Sequence, residues 1–203
     1  GIAATVKHYA GNESEIERTT VNSQVDERSL REIYLRPFEA AVKEGGTWGI
    51  MSSYNKLNGT YAAENHWLLT KVLREDWGYD GIVMSDWFGS RTTAPTVNAG
   101  LDLEMPGPTR DRGAKLVAAV EAGEVSRETV RARALAMLRL MARCGALRGT
   151  RPHAERADDR PATRALIRRA GAEGMVLLKN KGILPLPAPK GKIAVIGPNA
   201  RVA

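Results

Sequence analysis

The segment Gly81–Trp87, which reads Gly-Ile-Val-Met-Ser-Asp-Trp, constrains the fold more than any other stretch of this chain. Four apolar or small residues in a row, opening after a glycine, are typical of a strand that is covered on both faces of a parallel sheet. The run stops at Asp86, and parallel α/β folds carry their chemistry at this end of a strand. From this pattern alone, a second interpretation stays open, in which Asp86 only caps the following helix or turn.

Composition limits the class of protein. With 203 residues, of which 43% are hydrophobic, the chain can bury a core, and it has no apolar stretch long enough to span a bilayer. The net charge of +7 is uneven, because residues 127–203 carry the basic excess whereas residues 1–126 are net acidic. The basic part also lacks interleaved aromatic residues for base stacking. We therefore expect neither a nucleic-acid partner nor a membrane partner.

Cysteine and histidine usage argues against metal-dependent chemistry. Cys144 is the one cysteine, which excludes an internal disulfide, and His8, His66 and His153 are too scattered for a zinc site. We expect no metal and no cofactor. The sequence starts at Gly1 in what reads as a strand, so we expect the natural N-terminus and any targeting signal to lie outside it, and localisation is not predicted.

Strand and helix patterns alternate through the first half of the chain. Helical spacing of apolar residues predicts helices over Ser29–Lys43, His66–Trp77 and Thr93–Ala99. Short apolar runs predict four strands: Ile2–Tyr9, Trp48–Ser52, Gly81–Ser85 and Leu101–Met105. This rhythm is typical of βαβ units, and four such strands would make half of an eight-stranded barrel. A doubly wound sheet accommodates the same pattern, and periodicity does not separate the two.

The second half of the chain is predicted to leave this domain. Helices are predicted over residues 113–122 and 128–144, and Arg148–Arg160 reads as a linker that contains proline and arginine. A helix over residues 161–171 follows, and Lys192–Gly197 reads as the first strand of a new domain that the chain does not complete.

Several motifs, in their order and spacing, closely resemble glycoside hydrolase family 3. They are Lys7–Asn12, Met51–Gly59, Trp77–Trp87, Ala99–Gly107 and Val176–Asn180. That family joins a TIM-like barrel to an α/β sandwich domain and cleaves terminal β-linked sugars with retention of configuration. The resemblance therefore implies an α/β fold: a partial TIM-like (β/α) barrel over residues 1–147, a linker and docking segment over 148–190, and the start of an α/β sandwich over 191–203.

The resemblance also implies roles for individual residues. Asp86 matches the catalytic nucleophile, and Lys7, His8 and Arg18 match groups that hydrogen-bond the hydroxyls of the terminal sugar. The walls of the sugar subsite match three further residues: Met51, Tyr54 and Trp87. Elementary chemistry agrees, because cationic neighbours keep a carboxylate ionised and an indole offers a sugar an apolar face.

A retaining glycosidase needs a second carboxyl group as the acid/base. Asp102 and Glu104 lie in a segment that reads as structural, so we expect the acid outside these 203 residues, in the remainder of the polypeptide. We therefore expect a β-glucosidase that acts on small β-glycosides, with this segment inactive by itself. A β-xylosidase on the same scaffold and a catalytically silent sugar-binding or interaction protein are the alternatives.

Overall fold

A computed structural model describes residues 1–149, 154–155, 157–188, 190–198 and 200. The chain divides into two compact units, Gly1–Arg151 and Pro152–Ala203. Parts of the predicted linker (residues 150–153 and 156), together with residues 199 and 201–203 of the last predicted segment, lie outside the described residues. The predicted domain boundaries at residues 147 and 190 stay predictions.

A parallel sheet of three strands organises the first unit. Its strand order is β1 (Thr5–Tyr9), β3 (Gly49–Ser52) and β6 (Ile82–Ser85), and all its pairings are parallel. β3 and β6 are almost entirely buried, as expected for strands covered on both faces. The prediction of an α/β fold with a parallel sheet is confirmed.

A smaller second sheet lies beside the loop that follows β3. It consists of β2 (Asn22–Ser23), β4 (Lys56–Leu57) and β5 (Thr60–Tyr61). β4 and β5 form a hairpin whose two turn residues, Asn58 and Gly59, have φ of 50° and 94°. Left-handed backbone at both positions is what a two-residue hairpin turn requires, so the predicted tight turn is confirmed.

Helices account for the rest of the regular secondary structure. The α-helices are α1 (Glu27–Ser29), α2 (Arg36–Lys43), α3 (Ala94–Ala99), α4 (Ala114–Glu121), α5 (Arg127–Cys144) and α6 (Pro161–Glu173). Leu30–Tyr34 and Trp67–Asp76 are π-helical, and Ala62–Glu64 and Ala146–Arg148 are short 3₁₀ turns. The predicted single helix over Ser29–Lys43 is therefore divided near Leu35. Pro37 lies in the first turn of α2, where its missing N–H is dispensable.

The main core of the first unit lies between the three-stranded sheet and three helical segments, Leu30–Tyr34, α2 and Trp67–Asp76. Tyr9 at the end of β1 is fully buried, and its ring meets that of Phe38 edge to face at 4.9 Å between centroids. The Trp67–Asp76 helix contributes four buried apolar side chains: Leu68, Leu69, Val72 and Leu73. Packing therefore fixes the positions of Tyr9, Ser52 and Ser85, the last residues of the three strands.

The predicted fourth strand, Leu101–Met105, is wrong as a regular strand, because only one bridge, Met84 to Leu103, joins it to β6. The backbone N–H groups of Asp102 and Leu103 both reach the Val83 carbonyl. In return, the Val83 N–H donates to the Asp102 side chain at 2.7 Å. A carboxylate thus takes the place of a backbone carbonyl, which interrupts the hydrogen-bond ladder.

The second unit contains α6 and an extended segment. The predicted helix over residues 161–171 is confirmed, and it continues to Glu173. The predicted strand Lys192–Gly197 is not present in the described part of this unit, and Ile193, Val195 and Ile196 are exposed. A strand needs a neighbour for its backbone groups, which apolar sequence alone does not supply. Among the described helices, none combines the length and the apolar character that crossing a bilayer requires.

Candidate active site

Three chain segments meet where the parallel strands of the main sheet end. Tyr9 of β1 is in register with Ser52 of β3, and Ser52 is in register with Ser85 of β6. The Ser53 N–H donates to the Tyr9 carbonyl at 2.8 Å, which continues the pairing past the last strand residues. The residues that follow these strands therefore share one edge of the sheet, where parallel α/β folds carry functional groups.

Asp86 follows β6 directly, and its side chain is only 12% exposed. Both carboxylate oxygens have partners. The Trp87 N–H donates to Oδ1 at 2.7 Å, and His8 Nε2 lies 3.2 Å from Oδ2. A largely buried carboxylate beside an imidazole and a backbone donor is held in one orientation, which a nucleophile requires.

The chain reverses immediately after this carboxylate. The Gly89 N–H donates to the Asp86 carbonyl at 2.9 Å, which closes a four-residue turn. Trp87 and Phe88 occupy the two central positions of this turn, and both side chains are about half exposed, at 47% and 54%. The turn thus presents two large aromatic side chains next to a buried acid.

Tyr54, from the loop after β3, braces this turn. Its hydroxyl donates to the Trp87 carbonyl at 2.8 Å. Partial burial and, second, the negative charge of Asp86 raise the pKa of Tyr54, so the phenol keeps its proton at neutral pH. Arg18 lies over the Tyr54 ring at 5.7 Å from its centroid, and it pairs with Glu15 at 3.4 Å.

Lys7 and Met51 lie on strands of the main sheet without a described contact to the Asp86 side chain. The exposed Lys7 lines a cavity of about 350 Å³ together with His8 and Tyr34, and Met51 is a nearly buried residue of β3. Lys7 makes no ion pair with Asp86 within the described part of the chain. The structure therefore brings His8, Tyr54 and Trp87 into direct contact with Asp86 or its turn, and Arg18 reaches the turn through Tyr54. Met51 lies on β3, the strand beside β6, and Lys7 lies one strand further away, on β1.

Asp102 forms buried ion pairs that hold the fold together. Its side chain is fully buried, with Arg74 at 2.7 Å and Arg133 at 3.2 Å. Burial raises the pKa of Asp102, and the two guanidinium groups oppose that rise. A carboxyl group without exposure does not meet a leaving group, which agrees with the structural role expected for this segment.

Glu104 also has a structural role, and only 2% of its side chain is exposed. Its carboxylate accepts a hydrogen bond from the Thr109 hydroxyl at 2.5 Å and from the backbone N–H groups of Arg110 and Asp111 at 3.0 and 3.1 Å. Burial raises the pKa of Glu104, but these hydrogen bonds outweigh it and lower the pKa below its usual range. Glu104 therefore serves as an ionised anchor for the 109–111 loop.

Phe88 and Arg110 were not singled out by sequence reasoning. The Arg110 guanidinium carbon lies 4.8 Å from the Phe88 ring centroid. An aromatic residue directly after Ser-Asp-Trp was a visible signal in the sequence. No sequence pattern indicated that Phe88 stacks with Arg110, which lies 22 positions away.

No group of three or more His, Cys, Asp or Glu side chains is placed to hold a metal ion among the described residues. The surroundings of Asp86 combine a carboxylate, an imidazole, a phenol and exposed aromatic rings. Such a set binds and orients a small polar molecule that has an apolar face.

Several known proteins with similar sequences are named as β-glucosidases. The chain is 66% identical over 204 residues to a beta-glucosidase of Rhizobium radiobacter, which covers all of this chain and 25% of that protein. It is 51% identical over 188 residues to beta-glucosidase B of Emericella nidulans, covering 92% of this chain and 22% of that one. The chain thus spans about a quarter of the length of the curated relatives it matches.

Solved structures agree. Beta-glucosidase 3B from Thermotoga neapolitana, in complex with glycerol, superposes with a TM-score of 0.79 at 40% identity, covering 92% of this chain and 27% of that chain. The beta-glucosidase from Kluyveromyces marxianus, in complex with glucose, gives 0.78 at 42% identity, covering 91% and 23%. The model of the glycosyl hydrolase family 3 N terminal domain matches residues 1–140. This chain therefore belongs to glycosyl hydrolase family 3.

Proposed function

We propose that the protein is a retaining, exo-acting β-glucosidase in which Asp86 attacks the anomeric carbon of a terminal β-linked glucose. The observation that carries this proposal is the placement of Asp86. It is a largely buried carboxylate at a strand end, with one oxygen 3.2 Å from His8 and the other bonded to the Trp87 N–H. Relatives that carry the name beta-glucosidase and cover the whole chain support the choice of substrate.

In this mechanism the carboxylate displaces the leaving group and forms a covalent glycosyl-enzyme, which water then hydrolyses. His8 Nε2, close to Asp86 Oδ2, holds the carboxylate in place, and Nδ1 is the ring atom left to pair with a sugar hydroxyl. Tyr54 fixes the backbone of the turn through the Trp87 carbonyl. Trp87 offers its exposed indole as an apolar wall, and Lys7, Arg18 and Met51 complete the proposed subsite.

The leaving group needs a proton from a second carboxyl group about 5 to 5.5 Å from the nucleophile. We place this acid/base outside the 203 residues. The support is that both carboxyl groups of the Leu101–Met105 segment have other partners, Asp102 in Arg74 and Arg133 and Glu104 in the 109–111 loop. The proposed architecture is accordingly a partial TIM-like barrel, formed by the parallel strands, followed by a linker and the start of an α/β sandwich domain.

Labelling tests the nucleophile. The complete protein is incubated with an activated 2-deoxy-2-fluoro-β-glucoside, which forms a glycosyl-enzyme that hydrolyses slowly, and the labelled peptide is identified by mass spectrometry. We expect the label on Asp86, and we expect Asp86→Asn to lose about a thousandfold or more in kcat, as nucleophile removal does in other hydrolases. A label on Asp102 or Glu104 would overturn the assignment.

Nitrophenyl glycosides then separate the activities. Turnover of the glucoside above the xyloside is the expected result, whereas a preference for the xyloside would identify a β-xylosidase on the same scaffold. Binding of glucose without turnover of any glycoside would instead identify a sugar-binding protein.

A further inference from the structure

Phe88 has a backbone conformation that its side chain disfavours. It is the third residue of the turn Asp86–Gly89, and its φ is +61°. A bulky residue in the left-handed region is a genuine outlier, and glycine or asparagine is usual at this turn position. Core packing does not explain the choice of residue, because 54% of Phe88 is exposed. Strained residues of this kind cluster at functional sites.

The Phe88 ring is nevertheless held in place. The Arg110 guanidinium carbon lies 4.8 Å from the ring centroid, within the range of a cation–π interaction. Arg110 Nη2 in turn donates to the Ser90 carbonyl at 3.0 Å. The Phe88 N–H donates to the Met105 carbonyl at 2.9 Å, which ties the turn to the neighbouring segment. An exposed aromatic ring that is stacked on one face, on a backbone that is itself hydrogen-bonded, is a prepared contact surface.

The support for Arg110 comes from Glu104. This buried carboxylate accepts hydrogen bonds from the Thr109 hydroxyl and from the N–H groups of Arg110 and Asp111. Arg110 Nε also lies 3.9 Å from Glu104 Oε1. The cation over Phe88 is thus anchored at its backbone and along its side chain.

The exposed fraction rises along the turn, from Asp86, the proposed nucleophile, to Phe88. Asp86 is 9% exposed, Trp87 47% and Phe88 54%. In an exo-acting enzyme, the terminal sugar enters first and the rest of the substrate trails toward solvent. In the proposed function, the leaving group then lies toward the more exposed end of this turn, which carries Phe88.

We propose that Phe88, positioned by Arg110, contacts the leaving group and makes the protein select β-glucosides with aromatic aglycones. This inference rests on the function proposed above. A phenyl ring offers only an apolar face, so it makes fuller contact with another aromatic ring than with a second sugar, whose hydroxyls find no polar partner on it. Phe88 is therefore a specificity-determining residue for the leaving group, and Arg110 is its positioning residue.

Phe88→Gly tests this assignment without disturbing the turn, because glycine adopts φ near +61° without strain. We expect kcat/KM of the complete protein for phenyl β-glucoside to fall about 3- to 10-fold relative to that for methyl β-glucoside, the range expected for one aromatic contact. The inhibition constants of phenyl and methyl 1-thio-β-glucoside should change in the same ratio, which reports binding apart from turnover. The melting temperature should stay within a few degrees of wild type.

Three further variants complete the experiment. Phe88→Tyr should keep the aryl preference, and Arg110→Gln should lower it in part. The control is Arg143→Gln, which removes a guanidinium stacked at 5.9 Å on Trp48, beside the opposite end of β3. It should leave the aryl-to-methyl ratio unchanged.

The possible failures are distinguishable. An active wild-type enzyme whose aryl-to-methyl ratio is unchanged in Phe88→Gly overturns the role of Phe88 and leaves the proposed function intact. A wild-type protein that turns over no β-glycoside and shows no label on Asp86 removes the proposed function, and the role of Phe88 with it.

Discussion

Trp87 and Trp77 show how differently one residue type is used in this chain. Trp87 lies in the turn after Asp86 and is 47% exposed. Trp77 packs against the main core, with its ring 6.1 Å from that of Tyr9. The indole of Trp87 is therefore open to solvent, whereas that of Trp77 contributes to packing.

We expect Trp87→Ala to raise KM or lower kcat for a β-glucoside while the melting temperature stays within a few degrees of wild type. The reason is that an exposed indole leaves little cavity when it is removed. Trp77→Ala is the matched control and should lower the free energy of unfolding by about 3 kcal/mol or more. Steady-state kinetics and thermal unfolding of both variants check this. Unchanged kinetics with lost stability in Trp87→Ala would contradict the role as a subsite wall.

The loop over residues 109–111 depends on one carboxylate. Glu104 accepts its hydrogen bonds in an environment from which solvent is largely excluded. Because its pKa in the folded protein lies below the ordinary value of 4.5, its ionised form stabilises the fold. This contribution is complete above pH 4.5 and is lost as the pH falls through the lowered pKa of the folded state.

Glu104→Gln should therefore lower the free energy of unfolding by about 1 to 3 kcal/mol at neutral pH, the range for hydrogen bonds to a buried charged group. The difference from wild type should shrink as the pH falls below 4.5. Denaturant unfolding at a series of pH values measures it. Glu32→Gln, which removes an exposed partner of Arg28, is the control and should change stability by less than about 1 kcal/mol. A difference that persists undiminished at low pH would refute the anchor role.

The isolated 203-residue polypeptide exposes much apolar surface. In the second unit, Val176, Leu178 and Ile196 are 79%, 91% and 93% exposed. In the first unit, β1 is an edge strand of the three-stranded sheet, and β6 is continued only by the single bridge from Met84 to Leu103. Exposed apolar residues and open edges of this kind favour association between chains.

We expect this polypeptide, expressed by itself, to self-associate and to hydrolyse no β-glucoside, because the proposed mechanism takes its acid from elsewhere. Size-exclusion chromatography with light scattering, together with a nitrophenyl glucoside assay, checks both parts. A monodisperse, cooperatively unfolding and active monomer would contradict them, and would direct the search for the acid back to Asp102 and Glu104.

Local sequence patterns predicted a buried strand, a hairpin turn and the family of this protein. The apolar run before Asp86 predicted β6, since four consecutive apolar or small residues suit a strand buried on both faces. Asn58-Gly59 predicted the hairpin turn, because few residue pairs accept left-handed backbone at both positions. The motifs around Lys7, Tyr54 and Asp86 predicted the family, which the comparisons confirmed.

Tertiary structure alone decided the rest. The same apolar pattern predicted strands at Leu101–Met105 and Lys192–Gly197, but a strand requires a partner for its backbone groups, and no local pattern reports whether that partner exists. Likewise, the sequence does not state that His8 lies 3.2 Å from Asp86, or that Arg110 stacks on Phe88. These pairs are distant in the chain, so their contacts arise only when the packed sheet brings its strand ends to one edge.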